Sequence, residues 1–192
     1  MYAMTQKHWL YAIQTLETLV AHAERWHAAY ITANLLGLSE SLNKGKGRFG
    51  QLRTLQVRIP SGASCCHHNV SNFFEDAPNL TRVRVLDHYR LRLSSLTVLH
   101  FKLARCSAHR FFAELEQMTS LEELVVGGGR HDLPNVPVSK LPSLKTYSVD
   151  CCVPLTVVKA PSLEKLYLAD GLLDADTQTV ETFLRGVNHI IS

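Results

Sequence analysis

The chain has no apolar run near the roughly 20 residues that a bilayer-crossing helix needs, so no membrane partner is expected. Its opening stretch, MYAMTQKHWLYAIQTLETLV, lacks a basic start followed by an unbroken apolar core, and no signal peptide is read there. Cysteine is scarce and odd in number, five in 192 residues, which argues against a disulfide framework. With no signal peptide, a reducing compartment is expected, cytoplasmic or nuclear. Charge is also thin: Asp, Glu, Lys and Arg make up 19% of the chain. A net charge of +3 falls short of the clustered basicity that would by itself argue for nucleic acid. What is present is apolar residue, 46%, in a chain long enough to bury a core.

That apolar content recurs in a fixed form. Leu52-Arg-Thr-Leu55-Gln-Val57 reads LxxLxφ, with φ apolar. The form returns at Leu80-Thr-Arg-Val83-Arg-Val85, Leu96-Thr-Val-Leu99-His-Phe101 and Leu121-Glu-Glu-Leu124-Val-Val126. It returns again at Leu144-Lys-Thr-Tyr147-Ser-Val149 and Leu163-Glu-Lys-Leu166-Tyr-Leu168. First positions at 52, 80, 96, 121, 144 and 163 are separated by 28, 16, 25, 23 and 19 residues. Most of these steps match the period of leucine-rich repeats, about 20–29 residues. The short step of 16 implies a copy with almost no connecting element. In each copy the last three positions alternate, so two apolar side chains share one face of a short strand. One copy cannot bury that face, whereas stacked copies can. The expected fold is therefore α/β: a leucine-rich-repeat solenoid, a short parallel sheet on its concave side and irregular helices on its convex side.

Between the strands, SAHRFFAELEQM (107–118) has helical spacing, with Ser107 as N-cap. NFFEDA (72–77) predicts a helical turn or two stopped by Pro78, and DADTQTVETFLRG (174–186) a helix ended by Gly186. VNHII (187–191) could begin a seventh strand, and LPNVPVSKLPS (133–143) reads as an irregular, proline-punctuated turn. Toward the N-terminus, Trp9, Leu10, Ile13, Leu16, Leu19, Val20 and Ala23 predict an amphipathic helix over 5–25. RWHAAYIT (25–32) then reads as an atypical strand, ANLLGLSESL (33–42) as a second helix and NKGKGRFG (43–50) as a loop. Residues 1–50 are thus the helical cap and atypical first repeat, and 51–192 one continuous solenoid domain.

Motifs that suggest catalysis or metal binding are weak. SCCHHN (64–69) holds zinc-ligand types, but Cys65, Cys66, His67 and His68 are contiguous, whereas ligand pairs are normally two to four residues apart. No metal or other cofactor is expected. The glycines of VVGGGRHD (125–132) precede HDLPNVP rather than the helix a phosphate loop requires. Cys106 with His109 or His100 could form a small Cys/His-dependent enzyme only with an orienting third group. The chain is accordingly read as non-catalytic.

Taken in order, LVAHAERWHAAYI (19–31), FFEDAPNLTRVRV (73–85), LSSLTVLHF (93–101), MTSLEELVVGG (118–128), LPSLKTYSV (141–149) and APSLEKLYL (160–168) carry a resemblance. The chain resembles the leucine-rich-repeat region of F-box-like proteins of mushroom-forming fungi, from about residue 19 to residue 192. That resemblance implies substrate recognition for an SCF-type ubiquitin ligase. It would also imply docking to the adaptor Skp1 through an F-box, but no F-box segment is seen before residue 19, so Skp1 is not an expected partner.

The alternation itself selects a binding face. Outward-pointing strand positions include Arg58, Arg82, Arg84, His100, Lys102 and Tyr167, basic on the first three strands. The expected partner is a protein with an acidic surface, gripped by arginine forks. Nucleic acid on the same strands is the least favoured alternative, since it calls for stronger charge and more aromatic residues there.

Overall fold

A computed structural model describes residues 6–32, 39–58, 74–85, 93–103, 108–128, 138–149, 155 and 158–168. The chain divides into two compact units, one of residues 1–80 with 89–92, the other of 81–88 with 93–192.

The first unit opens with helix α1 (Gln6–Val20), followed by a short 3-10 turn (Ala23–Arg25) and strand β1 (Ala28–Thr32). Helix α2 (Ser39–Asn43) and strand β2 (Thr54–Arg58) follow, and β1 pairs with β2 in parallel, Ala29 opposite Leu55 and Ile31 opposite Val57. The helix expected over 5–25 stops at Val20. The chain tightens there through His22 N–H to Leu19 O at 3.0 Å and Trp26 N–H to Ala23 O at 3.1 Å, as helix ends commonly do. The expected apolar stripe is only partly used. Val20 and Ala23 are buried and Ile13 and Leu16 half-buried, but Leu10 and Leu19 stand more than half exposed. Among the described residues its helical partner is α2, only five residues long, which meets α1 near Glu17. Of the helix expected over 33–42, residues 33–38 lie outside the described residues.

An aromatic column fills this unit. Phe49 is fully buried, its ring 5.7 Å from Trp26 and 4.9 Å from Phe74. Gly45 lies against the same ring. A Cβ placed there would sit 2.7 Å from Val20 Cγ1 and 2.9 Å from Phe49 Cζ, nearer than atoms can pack. Gly45→Ala is therefore expected to destabilise the unit by about 1–3 kcal/mol, the usual range for overpacking, read as a lower urea midpoint. At the surface, Lys44 Nζ meets Glu17 Oε1 at 2.6 Å. The hydrogen bond from Lys44 holds the Glu17 carboxyl below its ordinary 4.5, and Glu17 in turn holds Lys44 above its ordinary 10.5. A lowered carboxyl adds stability above its unfolded pKa and loses it as pH falls through the folded one; a raised lysine loses its part as pH rises through its own folded value. Stability measured against pH should thus show an acid decline below about 4.5 that is shallower in Glu17→Gln and in high salt.

The second unit is a run of five parallel strands: β3 (Arg82–Val85), β4 (Val98–Leu103), β5 (Glu123–Gly128), β7 (Thr146–Val149) and β9 (Lys165–Leu168). Helix α3 (Ala108–Leu115) lies between β4 and β5 in sequence, and the two-residue strands β6 (Ser139–Lys140) and β8 (Val158–Lys159) form a separate parallel pair. All six copies of the motif, β2 included, are strands. The fold is a parallel-sheet solenoid with few helices.

Register follows the motif copy for copy. Val83, Leu99, Leu124, Tyr147 and Leu166 stand opposite one another in series, and so do Val85, Phe101, Val126, Val149 and Leu168. The first four of each row are buried, whereas Leu166 and Leu168, on the last described strand, are half-buried. A slip by one residue would turn every one of these apolar groups to the opposite face.

Two backbone devices hold the copies in step. The leading Leu closes a tight turn onto the residue three before it: Leu80 to Ala77 O, Leu121 to Met118 O, Leu144 to Leu141 O and Leu163 to Ala160 O, at 3.1–3.2 Å. Proline at the second place of AP-x-L and LP-x-L has its φ already set for such a turn. The residue after that Leu offers its carbonyl to two successive N–H groups of the next copy. Glu122 O accepts from Lys145 and Thr146 at 2.9 Å each, and Lys145 O from Glu164 and Lys165 at 2.8 and 2.9 Å. Each copy thus hands its alignment to the next.

Helix α3 packs as the spacing of its apolar residues predicts. Phe111, Phe112, Leu115 and Met118 are buried, and Phe111 stacks on Phe101 with ring centres 4.0 Å apart. Ser139, fully buried on β6, donates its hydroxyl to Phe112 O at 2.7 Å, satisfying a carbonyl in the last turn of the helix. Of the segment 72–77, expected as a helical turn or two stopped by Pro78, residues 74–76 form a turn that Ala77 N–H closes onto Phe74 O at 3.2 Å. Within 133–143, read as a turn too irregular for a long helix, residues 139–140 form β6. Ser107, residues 72–73, and the expected helix 174–186 and strand 187–191 lie outside the described residues.

Candidate interaction surface

The strand side chains between the two buried rows point the other way, and they carry the chemistry. In the second unit the aligned register gives two outer rows. One runs Arg82, Val98, Glu123, Thr146, Lys165; the other runs Arg84, His100, Val125, Ser148, Tyr167. Lys102 extends β4 one step further along, opposite Gly127.

Arg82, Arg84, Lys102 and Lys165 are exposed, and Tyr167 is 55% exposed. His100 and Glu123 are more enclosed, with 31% and 41% of their side chains exposed, because they bind each other: His100 Nε2 lies 2.9 Å from Glu123 Oε1. In that contact Nε2–H donates to the carboxylate. Lys145, just outside the rows, is paired with Glu122 at 3.4 Å. By contrast, Arg82, Arg84 and Lys102 have no ion-pair partner among the described residues.

Of the six residues chosen from the sequence, five lie on this face. Arg84 is directly opposite His100, Lys102 is two positions from His100 on the same strand, and Tyr167 is three strands from His100 in the same row. Arg58 is exposed at the end of β2, in the first unit. His100, expected to contact a partner, is tied to Glu123 across the strands. Aligning the six motif copies one under another would have found this tie, because it joins the fifth position of one copy to the third of the next. Sequence reasoning also missed that Lys140 and Lys159, both exposed, stand opposite each other on β6 and β8. Strands of two residues leave no alternation to read.

Among the described residues, one pair on this face has catalytic residue types. The His100–Glu123 pair is half of a catalytic constellation, but Ser148, the hydroxyl in its row, is two strand spacings from His100, about 10 Å. A nucleophile must lie within hydrogen-bond reach of its base, about 3 Å. Cys106 and the Cys65–His68 cluster lie outside the described residues. Among the described residues, no group of three or more His, Cys, Asp or Glu is placed to hold a metal ion, and no helix is long and apolar enough to cross a membrane. No family model, curated protein or solved structure matches the chain.

Proposed function

We propose that the chain is a non-catalytic protein-binding module of leucine-rich-repeat type, which selects substrates in the manner of F-box-like ligase subunits and takes an acidic protein surface on the outer strand face of its second unit. One observation carries this reading: Arg82, Arg84 and Lys102 project from adjacent strands, exposed and without ion-pair partners among the described residues. A face that served only solubility would gain by interleaving charges of opposite sign, since like charges on neighbouring strands repel. The arginine fork suits carboxylates, and arginine and tyrosine are the side chains most often decisive in interfaces. The ordered repeat motifs support the ligase-subunit part of the reading.

The test is charge reversal. Partners captured by the wild-type chain are identified, and their affinity for R82E/R84E is measured. A loss of at least about 30-fold is expected, consistent with charge pairs at interfaces. Unchanged affinity for every captured partner would sink the reading.

A further inference from the structure

The two outer rows are not uniform, and their unevenness describes a ligand. Cations gather on β3 and β4, at Arg82, Arg84 and Lys102. The middle is uncharged apart from Glu123, with half-buried Val125, Thr146 and Ser148. At the far strand Tyr167 stands 55% exposed, an aromatic ring at the end of the row that begins with Arg84. Glu123 matters most for what it excludes. Its carboxylate is held in the middle by His100, so a ligand carboxylate is repelled there and attracted most at the β3–β4 end, where three cations gather, the far strand offering Lys165 alone.

We infer that this face takes an extended acidic peptide lying across the strands, its carboxylates on Arg82, Arg84 and Lys102 and an apolar side chain on the ring of Tyr167. The inference rests on the protein-binding reading above and adds the shape of the bound segment. From Arg84 to Tyr167 the register counts four strand steps, about 19 Å at roughly 4.8 Å each. An extended chain covers that in about six residues at roughly 3.3 Å per residue. The motif is therefore two acidic residues, a neutral spacer of about five, and one large apolar residue.

Synthetic fluorescein-labelled peptides test it by anisotropy with the full chain. The reference peptide is a Glu pair, a five-residue Ser/Ala/Gly spacer and a Leu, made in both chain directions. In the direction that binds more tightly, replacing the Glu pair by Gln should weaken binding at least tenfold. Cutting the spacer to two residues, or replacing Leu by Ser, should each weaken it at least threefold. Tyr167→Ala should remove the preference for Leu while the preference for Glu remains, and Arg84→Glu should do the reverse. Both positions are exposed, and circular dichroism checks that the variants fold. If neither direction binds, or if spacer length and Leu make no difference, the inference is overturned. The protein-binding reading still stands in that event if R82E/R84E loses the captured partners, and falls with the inference if it does not.

Discussion

Leu124→Asp is expected to abolish the ordered state of β4, β5 and β7. Leu124 is fully buried at the middle of its row, with Leu99 opposite on one side and Tyr147 on the other. Truncating such a leucine to alanine costs about 2–5 kcal/mol. A carboxylate in its place must also be desolvated or protonated, at several kcal/mol more. The sum rivals the whole stability of a typical domain, about 5–15 kcal/mol. Solenoid stability is close to a sum over neighbouring repeats, so the loss should be greatest in the strands that touch the site. Hydrogen exchange read strand by strand is the measurement, with protection at β4, β5 and β7 expected to vanish. Val125→Asp is the control, one residue along and on the outer face, with an expected cost of about 1 kcal/mol. Equal damage from the two substitutions would mean that the faces are assigned wrongly.

Phe49→Ala should lower the stability of the first unit by about 3–5 kcal/mol, the range for removing a buried aromatic ring. The ring is fully buried between Trp26 and Phe74, and its loss opens a void that neither neighbour can close without moving. Trp26 reports directly, because water reaching the space beside it shifts its emission to the red. The effect should also couple to Gly45. The methyl of Gly45→Ala collides with Phe49 Cζ and with Val20 Cγ1, and removing the ring relieves the first collision only. The double variant should therefore be less unstable than the two single costs added together, as a thermodynamic cycle would read. Strict additivity would show that the ring does not fill the space beside Gly45.

The inward and outward assignments could be read in the sequence because a strand has a period of two and each motif copy fits that period. Leu55, Val83, Leu99, Leu124 and Tyr147 are buried as read, and Arg82, Arg84, Lys102 and Tyr167 are exposed as read. The helix of residues 108–115 was likewise visible, because Phe111, Phe112 and Leu115 fall on one helical face. The reading of α1 went further than its apolar stripe allowed. Spacing can show that a face is apolar, but not whether another element covers it, and Leu10 and Leu19 remain exposed. Strands β6 and β8 left no trace, since pairing over two residues depends on tertiary placement rather than on local preference.

For this protein, the order of residues alone determined which side chains of each motif copy share a face, because alternation is a local property of extended chain. The tertiary structure decided who stands beside whom. The partnership of His100 with Glu123, the packing of Val20 against Gly45 and the span from Arg84 to Tyr167 all join residues distant in sequence. No local preference encodes such neighbours; they exist only once the copies are stacked in register, and the proposed ligand is read from that register.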